Sequence, residues 1–170
     1  MIRKTAAAAA AVCIYSCLCS CAAHAIDSAA VEIGYGDDRT VLLRLSVQEL
    51  WQKEMRLGQA WRLAGYWDVS AALWDNPDAS TADIGLTPVF RFERERLYVE
   101  AAIGMHLVQR RISQHRVFST AFQFGDHIGI GMRARDYDAG IALQHLSNAS
   151  IRHPNPGINF ILLRYQHYLR

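Results

Sequence analysis

Cysteine is missing from all but the first part of this sequence. The four cysteines of the 170-residue chain all fall within residues 13–21, and none follows. Arg3 and Lys4 precede a short apolar run that ends in Ala-His-Ala at residues 23–25. This order of basic, apolar and small residues is typical of a secretory signal peptide, so we expect residues 1–25 to be cleaved. The remaining chain then has no disulfide, no thiolate nucleophile and no cysteine-bound metal.

A second processing route would use one of these cysteines. The segment Leu18-Cys19-Ser20-Cys21 loosely resembles a lipoprotein box, which would leave Cys21 acylated at the new N-terminus. The Ala-His-Ala site is the better match, and the cleaved signal peptide is therefore our prediction.

Lysine is nearly absent after residue 25, and so is net charge. Lys53 is the only lysine there, and the other basic residues are arginines, which together balance 16 acidic residues. A chain without excess positive charge gives no argument for a nucleic-acid partner. Arginine is instead suited to phosphate and carboxylate partners, because its planar guanidinium binds them with two parallel hydrogen bonds.

Long apolar runs are also missing. No stretch after residue 25 reaches the ~20 residues that a membrane helix requires, although 51% of the chain is hydrophobic. Apolar residues recur instead with a period of two, which is typical of β-strands. One face of the segment 97–108 carries Leu97, Val99, Ala101, Ile103 and Met105, and the other carries Tyr98, Glu100, Ala102, Gly104 and His106. A second segment shows the pattern with Phe118, Phe122 and Phe124.

The pattern predicts eight strands in one all-β domain, residues 26–170. They lie near residues 30–36, 41–52, 59–74, 80–93, 96–108, 117–132, 136–148 and 157–169, and short connections alternate with longer ones such as 75–80. This arrangement predicts an eight-stranded antiparallel up-and-down transmembrane β-barrel in the outer membrane. Pro88 interrupts one strand and predicts a bulge there, because proline provides no N–H to the sheet.

A soluble β-sandwich or a small lipocalin-like barrel is the alternative, since their strands also alternate. Strand length favours the membrane barrel, because several strands exceed the ~9–11 residues that cross a bilayer. Four tryptophans favour it as well, since they stand where aromatic girdles form at membrane interfaces. They are Trp51, Trp61, Trp67 and Trp74.

A histidine and a serine share one face of the strand 136–148. His145 and Ser147 have the parity of Ile141 and Leu143, so in a barrel they face lipid. A polar pair there is costly unless it is hydrogen-bonded or functional. With both termini in the periplasm, this strand ends at the outer leaflet, which consists largely of lipopolysaccharide. The pair predicts nucleophilic acyl transfer, in which His145 takes the proton of Ser147 as the hydroxyl attacks an ester.

The histidine needs a partner that orients it. A simple hairpin centred on Arg152 places Asn159 opposite His145, so Asn159 is the predicted orienter. No carboxylate follows Asp138, and an acidic orienter would come from earlier in the chain, with Asp126 or Asp136 as candidates. Asn148 follows the serine, and its side-chain or backbone amide is a candidate oxyanion donor.

Two segments of the sequence resemble those of a known family. QHLSNASIRHPNPGIN, residues 144–159, closely resembles the His-x-Ser-Asn-Ala segment of the PagL family of outer-membrane lipid A 3-O-deacylases, and FQFGD at 122–126 looks like another family feature. The resemblance implies an esterase that removes the 3-linked hydroxyacyl chain of lipid A in lipopolysaccharide. It also implies an eight-stranded barrel, no cofactor and a tendency to form homodimers.

The same resemblance assigns roles by position. His145 matches the catalytic histidine, Ser147 the nucleophile and Asn148 the proposed oxyanion donor. Asn159 departs from the family, whose characterised members carry a glutamate as the third member of the triad. An amide orients a histidine but does not stabilise the imidazolium by charge, so we expect slower turnover or a different acid.

Other features add secondary expectations. Arg110, Arg111 and Arg116 could bind the phosphates of lipid A, or they could belong to a solvated loop. Histidines elsewhere match no metal-ligand spacing, and we expect no metal. Two further functions stay open: a structural or adhesive barrel without catalysis, and an outer-membrane phospholipase.

Overall fold

The computed structural model describes residues 26–109 and 116–169, which form an antiparallel sheet. The predicted signal peptide, residues 1–25, lies outside the described residues. Nine strands are present: β1 Ser28–Gly36, β2 Thr40–Leu50, β3 Met55–Leu57, β4 Trp61–Asn76, β5 Ala79–Arg94, β6 Leu97–Val108, β7 Phe122–Arg133, β8 Tyr137–Ser147 and β9 Ile158–Tyr168. A 3₁₀ turn, Asp37–Arg39, joins β1 to β2. Within the described ranges, no helix is long and apolar enough to cross a membrane.

Eight of the strands close into a barrel. Each long strand pairs with its neighbour in sequence, β1 pairs with β9, and β2 pairs with β4, so the sheet has no open edge among these strands. The short β3 pairs only with the start of β4 and extends one hairpin beyond the barrel. The predicted eight-stranded antiparallel barrel is therefore confirmed.

Alternation along the strands separates an apolar outside from a polar inside. In β6 every second residue from Leu97 to Leu107 is exposed and every residue between them is buried. The interior is filled by paired charges, because a carboxylate or guanidinium buried without a partner is costly. Arg91 Nη2 donates to Glu100 Oε2 at 2.8 Å, and Arg44 Nη1 donates to Glu32 Oε2 at 2.9 Å.

An apolar cluster closes the barrel at the end opposite the termini, which we call the loop end. Trp74 and Phe160 pack edge to face with ring centroids 5.2 Å apart, and Phe118 is fully buried in the same cluster. Two predictions are wrong here. Trp74 is not part of an outward girdle, since its side chain points inwards and is 1% exposed. Phe118 does not belong to the strand with Phe122, because residues before Phe122 fold over the barrel mouth.

The remaining tryptophans lie at the end that carries the termini. Trp51 contacts Phe90 edge to face at 4.9 Å between centroids and Trp67 at 6.4 Å. Trp61 and Trp67 are 39% and 43% exposed on the outer surface. These three residues occupy the position expected of an interfacial aromatic girdle.

Two local predictions are wrong. Around Pro88 the pairing between β5 and β6 is interrupted at residues 87 and 88, but the register is the same before and after, so no extra residue is inserted. The connection at 75–80 is a tight turn and not a long loop. Asn76 Oδ1 accepts hydrogen bonds from the N–H groups of Asp78 and Ala79, at 2.9 and 3.0 Å, which extends both strands to the turn.

Candidate active site

The loop end of β8 presents His145 and Ser147 on the outer surface. Both side chains are half-buried, whereas the alternate residues Leu146 and Asn148 point inwards and are buried. The two functional groups stand on the apolar side of the strand because β8 keeps its alternation to its last residue. The structure thus brings the predicted histidine and serine together, facing outwards.

A row of four polar side chains crosses the barrel wall at the height of His145. On one side β7 pairs Asp126 with His145, and on the other β9 pairs Asn159 with His145. The β1–β9 register pairs Gly36 with Phe160, so the next position places Asp37 opposite Asn159. Directly opposed residues have Cβ atoms roughly 5 Å apart. The row therefore reads Asp126, His145, Asn159, Asp37 across four neighbouring strands. The pairing predicted for His145 with Asn159 is confirmed.

Hydrogen bonds join three members of this row. His145 Nδ1 lies 2.8 Å from Asn159 Oδ1, and Asn159 Nδ2 donates to Asp37 Oδ2 at 3.0 Å. The backbone N–H of Asn159 donates to the same Asp37 oxygen at 3.1 Å. Because an amide oxygen only accepts, His145 Nδ1 carries the hydrogen and Nε2 is left as the basic nitrogen.

Gly157 gives the imidazole its space. Its φ is +57°, and a Cβ added there would lie 2.8 Å from His145 Cε1 and 3.3 Å from Nε2. Any larger residue would both strain the backbone and push against the ring. Gly157 also continues the β8–β9 register opposite Ser147, which places it beside the reacting groups.

Asn148 lies beneath the site, with its amide groups engaged in the loop. Its side chain is 1% exposed, and Nδ2 donates to Ser119 Oγ and to the Arg152 carbonyl, both at 2.8 Å. Its backbone N–H donates to Asn155 Oδ1 at 3.0 Å. In this structure Asn148 fixes the loop after Ser147. An oxyanion role would require one of these acceptors to give way to substrate.

Arg116 connects the two segments that flank the row. Its Nε donates to Asp38 Oδ2 at 2.7 Å, and its Nη1 donates to the Gly157 carbonyl. Its Nη2 is 3.9 Å from Asp37 Oδ2. Arg116 thus stabilises the β1–β2 turn against residue 157. The other two arginines assigned to phosphate binding, Arg110 and Arg111, lie outside the described residues.

The two carboxylates considered as alternative acids lie in very different places. Asp126 is exposed beside His145, although the Nδ1 hydrogen bond of the imidazole goes to Asn159. Asp136 lies at the opposite end of the barrel, where its carbonyl accepts a hydrogen bond from the N–H of Tyr168 at 3.0 Å. The suggestion of Asp136 as the acid is therefore wrong. Antiparallel strands place residues near a periplasmic turn far from the loop end.

Sequence reasoning missed Asp37. Asp37 follows the first strand, and only the closure of the barrel brings it beside the last one. Extending the predicted β8–β9 register to the pairing of β9 with β1 would have found Asp37.

An apolar groove leads away from the row along the outer surface. A depression of about 550 Å³ contains His145, Asn159, Asp37 and Asp126. It adjoins a second depression of about 330 Å³, and the two share Ile128, Leu143 and Ile161 as lining residues. The second is lined by aliphatic residues and glycine, so this part of the surface fits a hydrocarbon chain.

Among residues 26–109 and 116–169, no group of three or more His, Asp or Glu side chains is placed to hold a metal ion.

Comparison with known proteins agrees with this geometry. The family model described as "Lipid A 3-O-deacylase (PagL)" matches residues 40–168. The lipid A deacylase PagL of Bordetella bronchiseptica is 33% identical over 146 residues, which cover 78% of each chain. The lipid A deacylase PagL of Pseudomonas aeruginosa is 28% identical over 151 residues, which cover 85% of this chain and 87% of that protein.

Solved structures give the same result for the fold. A crystal structure of the outer membrane enzyme PagL has a TM-score of 0.77 at 26% identity and covers 84% of this chain and 99% of that one. A de novo designed transmembrane β-barrel has a TM-score of 0.52 at 11% identity, with coverage of 84% and 93%, and supports the barrel fold alone. The match over most of the strands and the likeness in structure establish that this chain, an outer-membrane β-barrel, belongs to the PagL family of lipid A 3-O-deacylases.

Proposed function

We propose that the protein is a serine esterase that hydrolyses the 3-linked hydroxyacyl ester of lipid A in the outer leaflet. The observation that carries this is the placement of His145 and Ser147 on the outer surface, with the imidazole oriented by Asn159 and an apolar groove beside it. Membership of the family supplies the substrate class.

The hydrogen bonds of His145 support the roles that we propose for the site residues. Asn159 Oδ1 holds the hydrogen on Nδ1 of His145, so Nε2 takes the proton of the Ser147 hydroxyl as its oxygen attacks the ester carbonyl. The protonated imidazole then gives that proton to the departing sugar oxygen, and an acyl-enzyme remains on Ser147. Water activated by Nε2 releases the fatty acid and restores the serine. No cofactor is needed in these steps.

The site lies where the ester bonds of an outer-leaflet lipid lie. β8 runs from the end with the termini to the loop end, and the loop end of such a barrel faces outwards. A substrate therefore reaches Ser147 sideways from the membrane. The groove at Ile128 and Leu143 extends from the site towards the middle of the barrel wall, and we assign it to the acyl chain.

Oxyanion and phosphate contacts complete the proposal. The backbone N–H of Asn148 stabilises the oxyanion if the substrate oxygen replaces Asn155 Oδ1 as its acceptor. Arg110 and Arg111 remain the arginines proposed to bind the lipid A phosphates. Arg116 is a weaker candidate, since Asp38 already accepts from it. Removal of residues 1–25 as a signal peptide and assembly into homodimers also remain predictions.

Mass spectrometry of lipid A tests the proposed function directly. Purified protein in detergent should remove one 3-linked hydroxyacyl mass from lipid A. The variants Ser147→Ala and His145→Asn should each lose activity by at least about 10³-fold, because the triad acts as a unit. Both variants should keep the heat-dependent electrophoretic mobility of a folded barrel.

Two results would contradict the proposal. Intact lipid A after incubation across pH and detergent conditions favours a structural barrel. Fatty acid released from glycerophospholipid, with lipid A unchanged, identifies a phospholipase.

A further inference from the structure

We propose that Asp37 supplies the carboxylate that Asn159 lacks, and that this carboxylate acts on His145 through the side-chain amide of Asn159. The inference rests on the proposed serine–histidine chemistry and adds a positioning residue to it. The sequence motif around Ser147 contains no carboxylate that could do this, and Asp37 lies 122 positions from Asn159 along the chain.

The carboxylate fixes the orientation of the amide. A carboxylate accepts hydrogen bonds and does not donate them, so the NH₂ group of Asn159 must face Asp37. Its Nδ2 lies 3.0 Å from Asp37 Oδ2. The amide oxygen then faces His145 Nδ1 at 2.8 Å, and only a hydrogen on Nδ1 satisfies it. Asp37 thus selects the tautomer in which Nε2 is the base.

The carboxylate also supplies charge. When His145 becomes an imidazolium during the reaction, the amide dipole of Asn159 and the charge of Asp37 are aligned to stabilise it. Hydrogen-bonded chains of this kind strengthen as each member polarises the next. The backbone N–H of Asn159 holds the same Asp37 oxygen at 3.1 Å, which keeps the carboxylate in line.

The turn that carries Asp37 is built to hold it there. Asp38 and Arg39 have φ of +56° and +58°, a conformation that brings the chain from β1 directly into β2. Arg116 binds this turn through Asp38, at 2.7 Å, and stays 3.9 Å from Asp37. The close ion pair therefore forms with Asp38, and Asp37 faces Asn159.

The variants Asp37→Asn and Asp38→Asn make a matched pair for the test. The first removes the charge behind Asn159, and the second removes the neighbouring charge that binds Arg116. Two rates are measured: deacylation of lipid A, and covalent labelling of Ser147 by a fluorophosphonate probe. Asp37→Asn should lower both by about 10- to 100-fold, because the imidazolium of His145 loses the charge that stabilises it through Asn159. Asp38→Asn keeps a side-chain oxygen that accepts from Arg116 Nε, so the turn stays in place and both rates should stay within about twofold of the unaltered protein.

The pH dependence separates a positioning role from a structural one. Without the Asp37 anion the protonated imidazole is less favoured, so the acidic limb of the rate profile should move to lower pH in Asp37→Asn. Asp126 on the β7 side of His145 and Arg116 near Asp37 are unchanged in this variant. The control Asp38→Asn should leave the limb in place.

A double substitution gives the sharpest outcome. Asn159→Glu alone places a second carboxylate against Asp37 and should not exceed the unaltered protein. In the Asp37→Asn background the same change provides a direct acid and should recover most of the lost rate. The proposal would be overturned if Asp37→Asn and Asp38→Asn lowered the two rates equally. It would also be overturned if the double variant were no faster than Asp37→Asn. If Ser147 is labelled normally but lipid A is not cleaved, only the substrate assignment fails, because the labelling rates still test Asp37.

Discussion

Among the described residues, two histidines held by a hydrogen bond lie near the loop end of the barrel, one inside and one outside. His106 points into the interior, where Nδ1 lies 3.0 Å from Asp83 Oδ1, and His145 points outwards with Nδ1 at 2.8 Å from Asn159 Oδ1. The hydrogen bond of His106 is the stronger of the two, since its partner is a carboxylate and not an amide. Yet Nε2 of His106 is buried without a hydrogen-bond partner, whereas His145 lines a lipid-facing groove and shares the outer face of β8 with Ser147. Access to an ester, more than the acidity of the orienter, decides which histidine can react.

Exchanging each histidine for asparagine gives the largest contrast. His145→Asn should lower deacylation by at least about 10³-fold, while the unfolding midpoint in urea changes little, because the side chain is at the outer surface. His106→Asn should keep activity within about threefold and cost about 1–3 kcal/mol of stability, because Asp83 loses a buried partner. Lipid A mass spectrometry and urea titration followed by gel mobility measure the two effects. Loss of activity with no loss of stability in His106→Asn would break the comparison.

Each imidazole lies against a glycine, and substituting these two glycines gives a second, smaller difference between the two histidines. A Cβ at Gly157 would meet His145 Cε1 at 2.8 Å, and a Cβ at Gly125 would meet His106 Cδ2 and Nε2 at 2.5 Å. Gly157→Ala should lower kcat by about 10- to 100-fold, because the imidazole is displaced. Gly125→Ala should act mainly on stability, by about 1–3 kcal/mol, through overpacking.

Gly58 serves as the control for backbone strain. Its φ is +69°, but nothing lies within 4 Å of an added Cβ. Gly58→Ala should therefore show the cost of the left-handed conformation, about 1 kcal/mol, with unchanged kcat. An equal loss of kcat in Gly58→Ala and Gly157→Ala would show that displacement of the ring is not the cause.

The smallest expected effect concerns the groove, which only the outer histidine has. Ile130 lines it four residues along β7 from Asp126, opposite Ile141. Ile130→Trp should shorten the space for an acyl chain. It should slow long-chain esters relative to short ones by about two- to fivefold, because the excluded methylenes lose close packing contacts but remain in hydrocarbon.

Leu73→Trp is the matched control, because Leu73 is 66% exposed on β4 and lines neither depression of this groove. Competition between esters of different chain length, with the released acids measured by chromatography, gives the ratio. An unchanged ratio in Ile130→Trp would place the acyl chain elsewhere.

Alternation and hairpin arithmetic predict most of the fold. The period of two identifies all eight barrel strands, and the hairpin centred on Arg152 correctly pairs His145 with Asn159. Such predictions succeed because a one-residue slip would move every side chain of a strand to the wrong face. They fail for Phe118, which lies outside the strands and packs into the apolar cluster at the loop end. They also fail at the turn after β4, where hydrogen bonds to Asn76 Oδ1 shorten the connection.

The site is less predictable than the fold for a related reason. Ser147, His145 and Asn159 lie on two adjacent strands, so sequence spacing is enough to bring them together. Asp37 follows the first strand and meets the last one only when the barrel closes. The hydrogen bonds of Asn148 could not be predicted from the sequence either. Their acceptors, Ser119 and Asn155, lie in loops, and hydrophobic periodicity does not predict loop conformation.

The filled interior has a consequence for the cell that makes this protein. Across the described residues, charge pairs such as Arg91 with Glu100 occupy the lower lumen, and the cluster around Trp74, Phe118 and Phe160 seals the top. Since these side chains fill the lumen among the described residues, we expect no conductance of nutrients, ions or antibiotics through the barrel. Such a protein can be abundant without making the cell leaky, which a hollow barrel of greater diameter could not be.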